Sequence, residues 1–119
     1  QSYIKKNTFH RPWGNYINFF KGVDFLLKEL TINKNSSISL QKHRYRSEHW
    51  TITNGKPKIT IGNKIFFKKK DESIFVPKGS IHRIENIYNE PVKIIEAQLG
   101  GVLKETDIVR YQDLYGRVK

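Results

Sequence analysis

SLQKHRYRSEHW, residues 39–50, sets a glutamine, two histidines, two arginines and a glutamate within ten positions of one another. The pattern around it reads as strand, turn, strand, and side chains on a strand alternate between its two faces. Over 36–43 the odd positions are Ser37, Ser39, Gln41 and His43, while the even ones include Ile38 and Leu40. Such a polar face either meets bulk water or lines a hydrated cavity, because buried polar groups are costly unless satisfied. Over 48–54, Glu48 shares its face with Trp50 and Ile52, which sends Glu48 inward and His49 outward.

The same period of two recurs along the chain, and no segment of a dozen residues shows a helical stripe. Strands are predicted over 15–20, 25–33, 36–43, 48–54, 56–61, 63–69, 73–77, 81–86 and 92–99. Turn residues separate them: Asn33 to Asn35, Asn54-Gly55, Gly62-Asn63, Lys70-Asp71, Pro77 to Gly79 and Asn89 to Pro91. Asn54-Gly55 predicts a tight hairpin. Eight or nine short strands predict an all-β sandwich or jelly-roll barrel, leaving only ETDIVRYQDLYGR, residues 105–117, for a short helix or turn. A length of 119 residues supports one domain around one core, with no linker and no repeat.

The net charge is +11, a basic excess that suits nucleic acid or a membrane surface when it is concentrated. Here the lysines are scattered, and only KKK at 68–70 forms a run. A diffuse positive field equally attracts a small phosphorylated ligand, so neither nucleic acid nor membrane is expected as a partner. No apolar run approaches bilayer-spanning length and QSYIKKNTFHRPW lacks a signal-peptide core, so the expectation is a soluble, cytoplasmic protein. With no cysteine, any metal must be held by histidine, carboxylate or amide groups.

In 81–86, His82 shares its face with Ile84 and therefore also points inward. Gln41, His43, Glu48 and His82 then form a set of two imidazoles, one carboxylate and one amide. Such nitrogen and oxygen donors suit one divalent ion, zinc foremost, with manganese, iron, cobalt and nickel as alternatives. In 25–33, Lys28 shares its face with Leu26, Leu30 and Ile32, so its ammonium must find an anion or shift its pKa. Glu96 and Gln98 share theirs with Ile94. Trp13, Tyr16 and the aromatics at 18–20 are expected to pack over a barrel edge rather than stack on nucleobases.

Gln41-x-His43-x4-Glu48-x6-Gly55 resembles the first cupin motif, with glutamine in place of its first histidine, and Pro77-x-Gly79-x2-His82-x3-Asn86 resembles the second. More closely, SLQKHRYRSEHW, IFVPKGSIHRIEN, IIEAQLG, DIVR and DLYGR, with RPWGNY near the start, resemble the C-terminal domain of type II mannose-6-phosphate isomerases, often fused to a mannose-1-phosphate guanylyltransferase. The resemblance covers residues 10–117 and implies a cupin-type double-stranded β-helix, one domain over 1–119.

It also implies interconversion of mannose 6-phosphate and fructose 6-phosphate through an enediol, with the metal polarising the sugar oxygen. On that reading Arg110 of DIVR lies nearest the reacting sugar, and Arg46, Tyr45 and Gln98 meet the substrate. Glu96 ranks ahead of Lys28 as the base, with Lys28 otherwise a phosphate partner, and Arg44 is an exposed turn residue. Asn33-Lys34-Asn35 replaces the family's usual Lys-Pro-Gly, and Lys104-Glu105-Thr106 its usual Gly-Glu-Asp. No glycine-rich nucleotide loop follows a strand, so a separate guanylyltransferase would have to supply that activity. The alternative is a non-catalytic cupin that binds a sugar phosphate or nucleotide sugar; an iron dioxygenase is disfavoured by the glutamine ligand and the IVR…YGR ending. A homodimer is expected, with Ile38 and Leu40 as outward apolar residues for its interface.

Overall fold

Strand after strand follows from the alternation above in the computed structural model, which describes residues 2–3 and 7–113. The order is β1 (Ser2–Tyr3), β2 (Thr8–Arg11), β3 (Gly14–Lys21), β4 (Phe25–Ile32), β5 (Ser36–Ser37), β6 (Leu40–Lys42), β7 (Ser47–Asn54), β8 (Lys58–Ile61), β9 (Lys64–Phe67), β10 (Ser73–Val76), β11 (His82–Asn86), β12 (Val92–Leu99) and β13 (Val109–Gln112). The described residues contain no helix. One sheet runs β1-β3-β4-β12-β7-β10, with β2 on β3; the other runs β13-β6-β11-β8-β9, with β5 on β11. All the pairings are antiparallel. Two such sheets closing on a shared core make the double-stranded β-helix.

The inner face of the larger sheet is graded in polarity, and the register shows how. Cross-strand rows run Leu26–Gln98–Glu48, then Lys28–Glu96–Trp50, then Leu30–Ile94–Ile52, then Ile32–Val92. The last two rows are apolar and pack against Ile59 and Ile84 of the other sheet in the buried core. Burying each such aliphatic side chain contributes about 1.5–3 kcal/mol. The first two rows carry charge into the opposite end of the barrel, where Lys28, Glu48, Glu96 and Gln98 are all at most 3% exposed. The same eight-residue strands therefore build a hydrophobic floor and, two rows away, a polar cup.

Several expectations are corrected. The predicted strand 36–43 is broken into β5 and β6, and the two residues between them, Ile38 and Ser39, are both buried. The Ile38 N–H bonds the Ile84 carbonyl at 3.0 Å, which draws Ile38 into the core, so it cannot serve an outward interface; Leu40 is half-buried. Asn54-Gly55 is not a hairpin, because β7 pairs with β10 and β12 while β8 pairs with β9 and β11. It is instead the corner where the chain changes sheets. Gly55 has φ +84°, and a Cβ there would sit 2.8 Å from the Pro91 carbonyl oxygen, so glycine is required on both counts. The predicted C-terminal helix or turn is a turn at 105–106 followed by β13; DLYGR beyond Asp113 lies outside the described residues.

The outer face of the larger sheet carries a second row, Phe20–Leu27–Ala97–His49–Phe75, read across five strands. No acidic, lysine or arginine side chain belongs to it. Phe20 stacks on Phe25 with ring centroids 5.7 Å apart, and His49 packs on Phe75 at 4.8 Å.

Candidate metal centre and ligand pocket

The polar end of the barrel opens into a pocket whose wall includes Trp13, Lys28, His43, Arg46, Glu48 and Glu96. His43 and Glu48 of that wall and His82 beside them, all buried, offer ligand atoms that lie within 4.8 Å of one another. Each reaches this point from a different place: His43 from the end of β6, Glu48 from β7, His82 from β11.

The imidazoles are oriented by their outer nitrogens. His43 Nδ1 lies 2.7 Å from the Asp107 carbonyl oxygen, and His82 Nδ1 lies 3.0 Å from that of Ser80. A carbonyl can only accept, so each Nδ1 carries a proton and each Nε2 is the nitrogen turned inward, that of His43 meeting Arg46. This is the arrangement by which a protein holds a histidine ready for a metal. Burial, with Arg46 and His82 adding to it, pushes His43 down to about 4, so it is neutral at pH 7. The 3.3 Å approach of His43 Nε2 to Glu48 Oε2 is therefore no ion pair: two electron-rich atoms face each other.

His82 Nε2 is buried with no hydrogen-bond partner among the described residues. Two imidazole nitrogens and a carboxylate oxygen converging within 4.8 Å form a donor set that a cation can bridge. In the described residues the nearby positive charge is Arg46, whose Nε–H donates to Glu48 Oε2 at 2.8 Å and whose Nη2 donates to His43 Nε2 at 3.2 Å. The donor set fits a divalent ion with open positions.

Gln41, the fourth expected ligand, stands beside the three. Its Nε2 lies 3.3 Å from His43 Nε2, while its Oε1 accepts from Ser39 Oγ at 2.6 Å. Rotating the amide by half a turn would present the oxygen to the centre and leave the nitrogen to donate to Ser39.

Behind the ligands, the Trp50 Nε1–H donates to Glu48 Oε1 at 3.0 Å and Glu96 Oε1 at 2.9 Å. Two carboxylates sharing one donor in a buried site take different protonation states. Burial and the Glu48 charge push Glu96 up to about 7. Burial also pushes Glu48 up, but the Arg46 guanidinium and His82 outweigh it and hold Glu48 below the usual carboxylate range. Gln98 lies behind Glu96 rather than on the pocket wall and donates to its Oε2 at 2.8 Å.

Lys28 is 3% exposed. Its Nζ meets Glu105 Oε2 at 2.8 Å and lies 4.1 Å from the centroid of the Tyr16 ring. Arg110 lines the pocket, in register with Gln41. Tyr45 departs from expectation, since its side chain is 55% exposed and off the pocket wall. Trp13 and Tyr16 are buried and line the pocket instead of packing over an edge.

Sequence parity missed the loop between β12 and β13, which supplies the Asp107 carbonyl behind His43 and touches the site through three further groups. The Asp107 carboxylate accepts the N–H groups of Arg44 and Tyr45 at 2.8 and 3.0 Å, the Lys104 carbonyl accepts from Arg46 Nη1 at 3.2 Å, and Glu105 reaches Lys28. A loop has no period, and the signal that pointed there was the similarity of DIVR to a family motif.

A barrel of two antiparallel sheets with histidine and carboxylate ligands on its inner strands defines a cupin. The family model described as "Mannose-6-phosphate isomerase C-terminal" matches residues 1–113, and the chain belongs to that family. It is 39% identical over 108 residues to the alginate biosynthesis protein AlgA of Pseudomonas putida, which covers 91% of this chain and 22% of that protein. With the mannose-1-phosphate guanylyltransferase ManC of Salmonella typhimurium it shares 37% identity, over 92% of this chain and 23% of that protein. Solved structures share the fold at lower identity. The capsular polysaccharide assembling protein CapF of Staphylococcus aureus superposes with TM-score 0.79 at 17% identity, over 91% of this chain and 34% of that one. An RmlC-like cupin from Shewanella frigidimarina gives 0.74 at 12%, over 86% and 88%.

The chain thus spans about a quarter or less of the curated relatives it matches. That corrects the expectation of a mannose 6-phosphate–fructose 6-phosphate isomerase. The match is to the C-terminal domain of larger enzymes, and similarity to one part does not assign the reaction of the whole to this chain. No helix among the described residues is long and apolar enough to cross a membrane.

Proposed function

We propose that this chain is a zinc-binding cupin domain that takes a small sugar phosphate into its cup, in the service of activated-mannose and polysaccharide biosynthesis in the cytoplasm. The observation that carries this reading is the convergence of two imidazole nitrogens and one carboxylate within 4.8 Å, two of them on the wall of a pocket that Lys28, Arg46 and Arg110 also line. His43, Glu48 and His82, with the Gln41 amide, would hold the ion. When bound, zinc supplies Lewis-acid polarisation of a sugar oxygen.

The protein's own groups supply the rest. The guanidiniums of Arg46 and Arg110 offer planar paired donors to a phosphate, and Lys28 offers a point charge. Glu96, protonated up to about pH 7 beside ionised Glu48, is equipped to exchange a proton with a bound hydroxyl. The relatives named for polysaccharide biosynthesis and guanylyl transfer support the pathway. A separate guanylyltransferase is the proposed enzymatic partner.

A homodimer is part of the same reading, formed through the outer row Phe20–Leu27–Ala97–His49–Phe75. In a chain of charge +11, self-association needs a face free of like charge, and this row is one. Calorimetric titration of mannose 6-phosphate into the zinc-loaded chain tests the ligand. Binding that disappears on chelation is expected, and absence of binding rejects the reading.

A further inference from the structure

Lys28 is a cation with almost no access to water, 3% exposed, held between the face of Tyr16 and the carboxylate of Glu105. The two partners differ in kind. Tyr16 belongs to β3 and is itself buried, whereas the Glu105 side chain is 50% exposed and sits in the loop before β13. Burial pushes the Glu105 carboxyl up, but the Lys28 ammonium hydrogen-bonded to it, with Arg46 and Arg11, outweighs burial and holds it below the usual carboxylate range. An ionised carboxylate, tethered by its own loop, therefore occupies the position that an incoming anionic group would need.

Resting on the sugar-phosphate reading above, we propose that Glu105 is a specificity-determining residue: a built-in competitor for Lys28 that admits dianions and turns away monoanions. The reason is electrostatic. A ligand carboxylate that replaces Glu105 exchanges one unit charge for another, and it competes with a group already present at an effective concentration on the order of millimolar or above. A phosphate monoester carries close to two negative charges above its second pKa of about 6. Its attraction to Lys28, Arg46 and Arg11 is roughly doubled at the same distance, so it can displace Glu105 where a monoanion cannot. The class of ligand selected is a phosphate monoester, in preference to a sugar acid or a neutral sugar. Glu105 is half-exposed and leaves to solvent at little cost, which a buried partner could not do.

The test compares the zinc-loaded wild-type chain with Glu105→Gln and with Glu90→Gln, a control that removes an equal charge from an exposed position away from the pocket. Inorganic phosphate and acetate are titrated into each at pH 8 by calorimetry. Glu105→Gln is expected to bind phosphate at least about tenfold more tightly than wild type, corresponding to about 1.4 kcal/mol, and to gain binding of acetate. Glu90→Gln is expected to match wild type. Equal or weaker phosphate binding by Glu105→Gln overturns the competitor role while leaving the sugar-phosphate reading in place, as does a gain of the same size in Glu90→Gln. If wild type and Glu105→Gln both take up zinc yet neither binds phosphate, the ligand reading itself fails and the competitor role with it.

Discussion

His43 Nδ1 and the carbonyl oxygen of Asp107 lie 2.7 Å apart across 64 residues of chain, and this one contact fixes which nitrogen of the imidazole faces the pocket. The Asp107 carboxylate meanwhile ties down the two residues that follow His43 through their N–H groups. Asp107→Ala removes both of those bonds and frees the loop that carries the carbonyl. We expect zinc affinity to fall by about 10–100-fold, the usual cost of losing support behind a ligand, with a loss of about 1–3 kcal/mol of stability for two unsatisfied N–H groups. Zinc titration beside thermal unfolding checks both. Unchanged affinity at reduced stability would show that Asp107 serves the fold alone.

The metal-free protein should show two opposed pH dependences from one site. Glu96 is raised from 4.5 to about 7, so the folded state holds the extra proton and stability falls as pH rises through that interval. His43 is lowered from 6.5 to about 4, so the unfolded state holds the extra proton and stability falls as pH drops through that interval. Between pH 5 and 6.5 the two offset each other, and above 6.5 the decline due to Glu96 remains. Glu96→Gln should therefore gain stability from pH 5 to 6.5 and stay level to pH 8, while wild type stays level and then declines. Parallel melting-temperature curves for the two proteins would rule this out.

The outer row predicts assembly. Ala97 sits at its centre, flanked by Leu27 and His49, and Ala97→Arg would set a charge against its own copy across a two-fold axis. Sedimentation should give a dimer for wild type and a monomer for the variant, with zinc uptake unaltered in both. A monomeric wild type at micromolar concentration would remove the interface from the account.

How much of this was legible in the sequence depended on strand length. Lys28, Glu48, Glu96 and Gln98 lie on β4, β7 and β12, each eight residues long. A period of two persists over that span, and counting parity from neighbouring isoleucines and leucines was enough to send all four inward. Over 36–43 the same counting placed Ile38 outward. The strand is interrupted there, so Ile38 turns into the core while Gln41 and His43, beyond the break, still line the pocket. Glu105 and Asp107 could not be found by pattern, because their partners stand 77 and 62 to 64 residues away and their own backbone is irregular. DIVR read as a helix or turn because four residues are too few to show a period, and only pairing with β6 makes a strand of Val109–Gln112.

The most direct measurement is the metal stoichiometry of the purified chain, wild type against His82→Ala, by elemental analysis after equilibration with zinc and extensive dialysis. His82→Ala gives up the Nδ1 bond to the Ser80 carbonyl and the ring contacts with His43 and Trp50, so circular dichroism accompanies the metal count to establish that the variant is folded. The account predicts one zinc per wild-type chain and a small fraction of that in the folded variant. Equal zinc in both, or none in either, would contradict it.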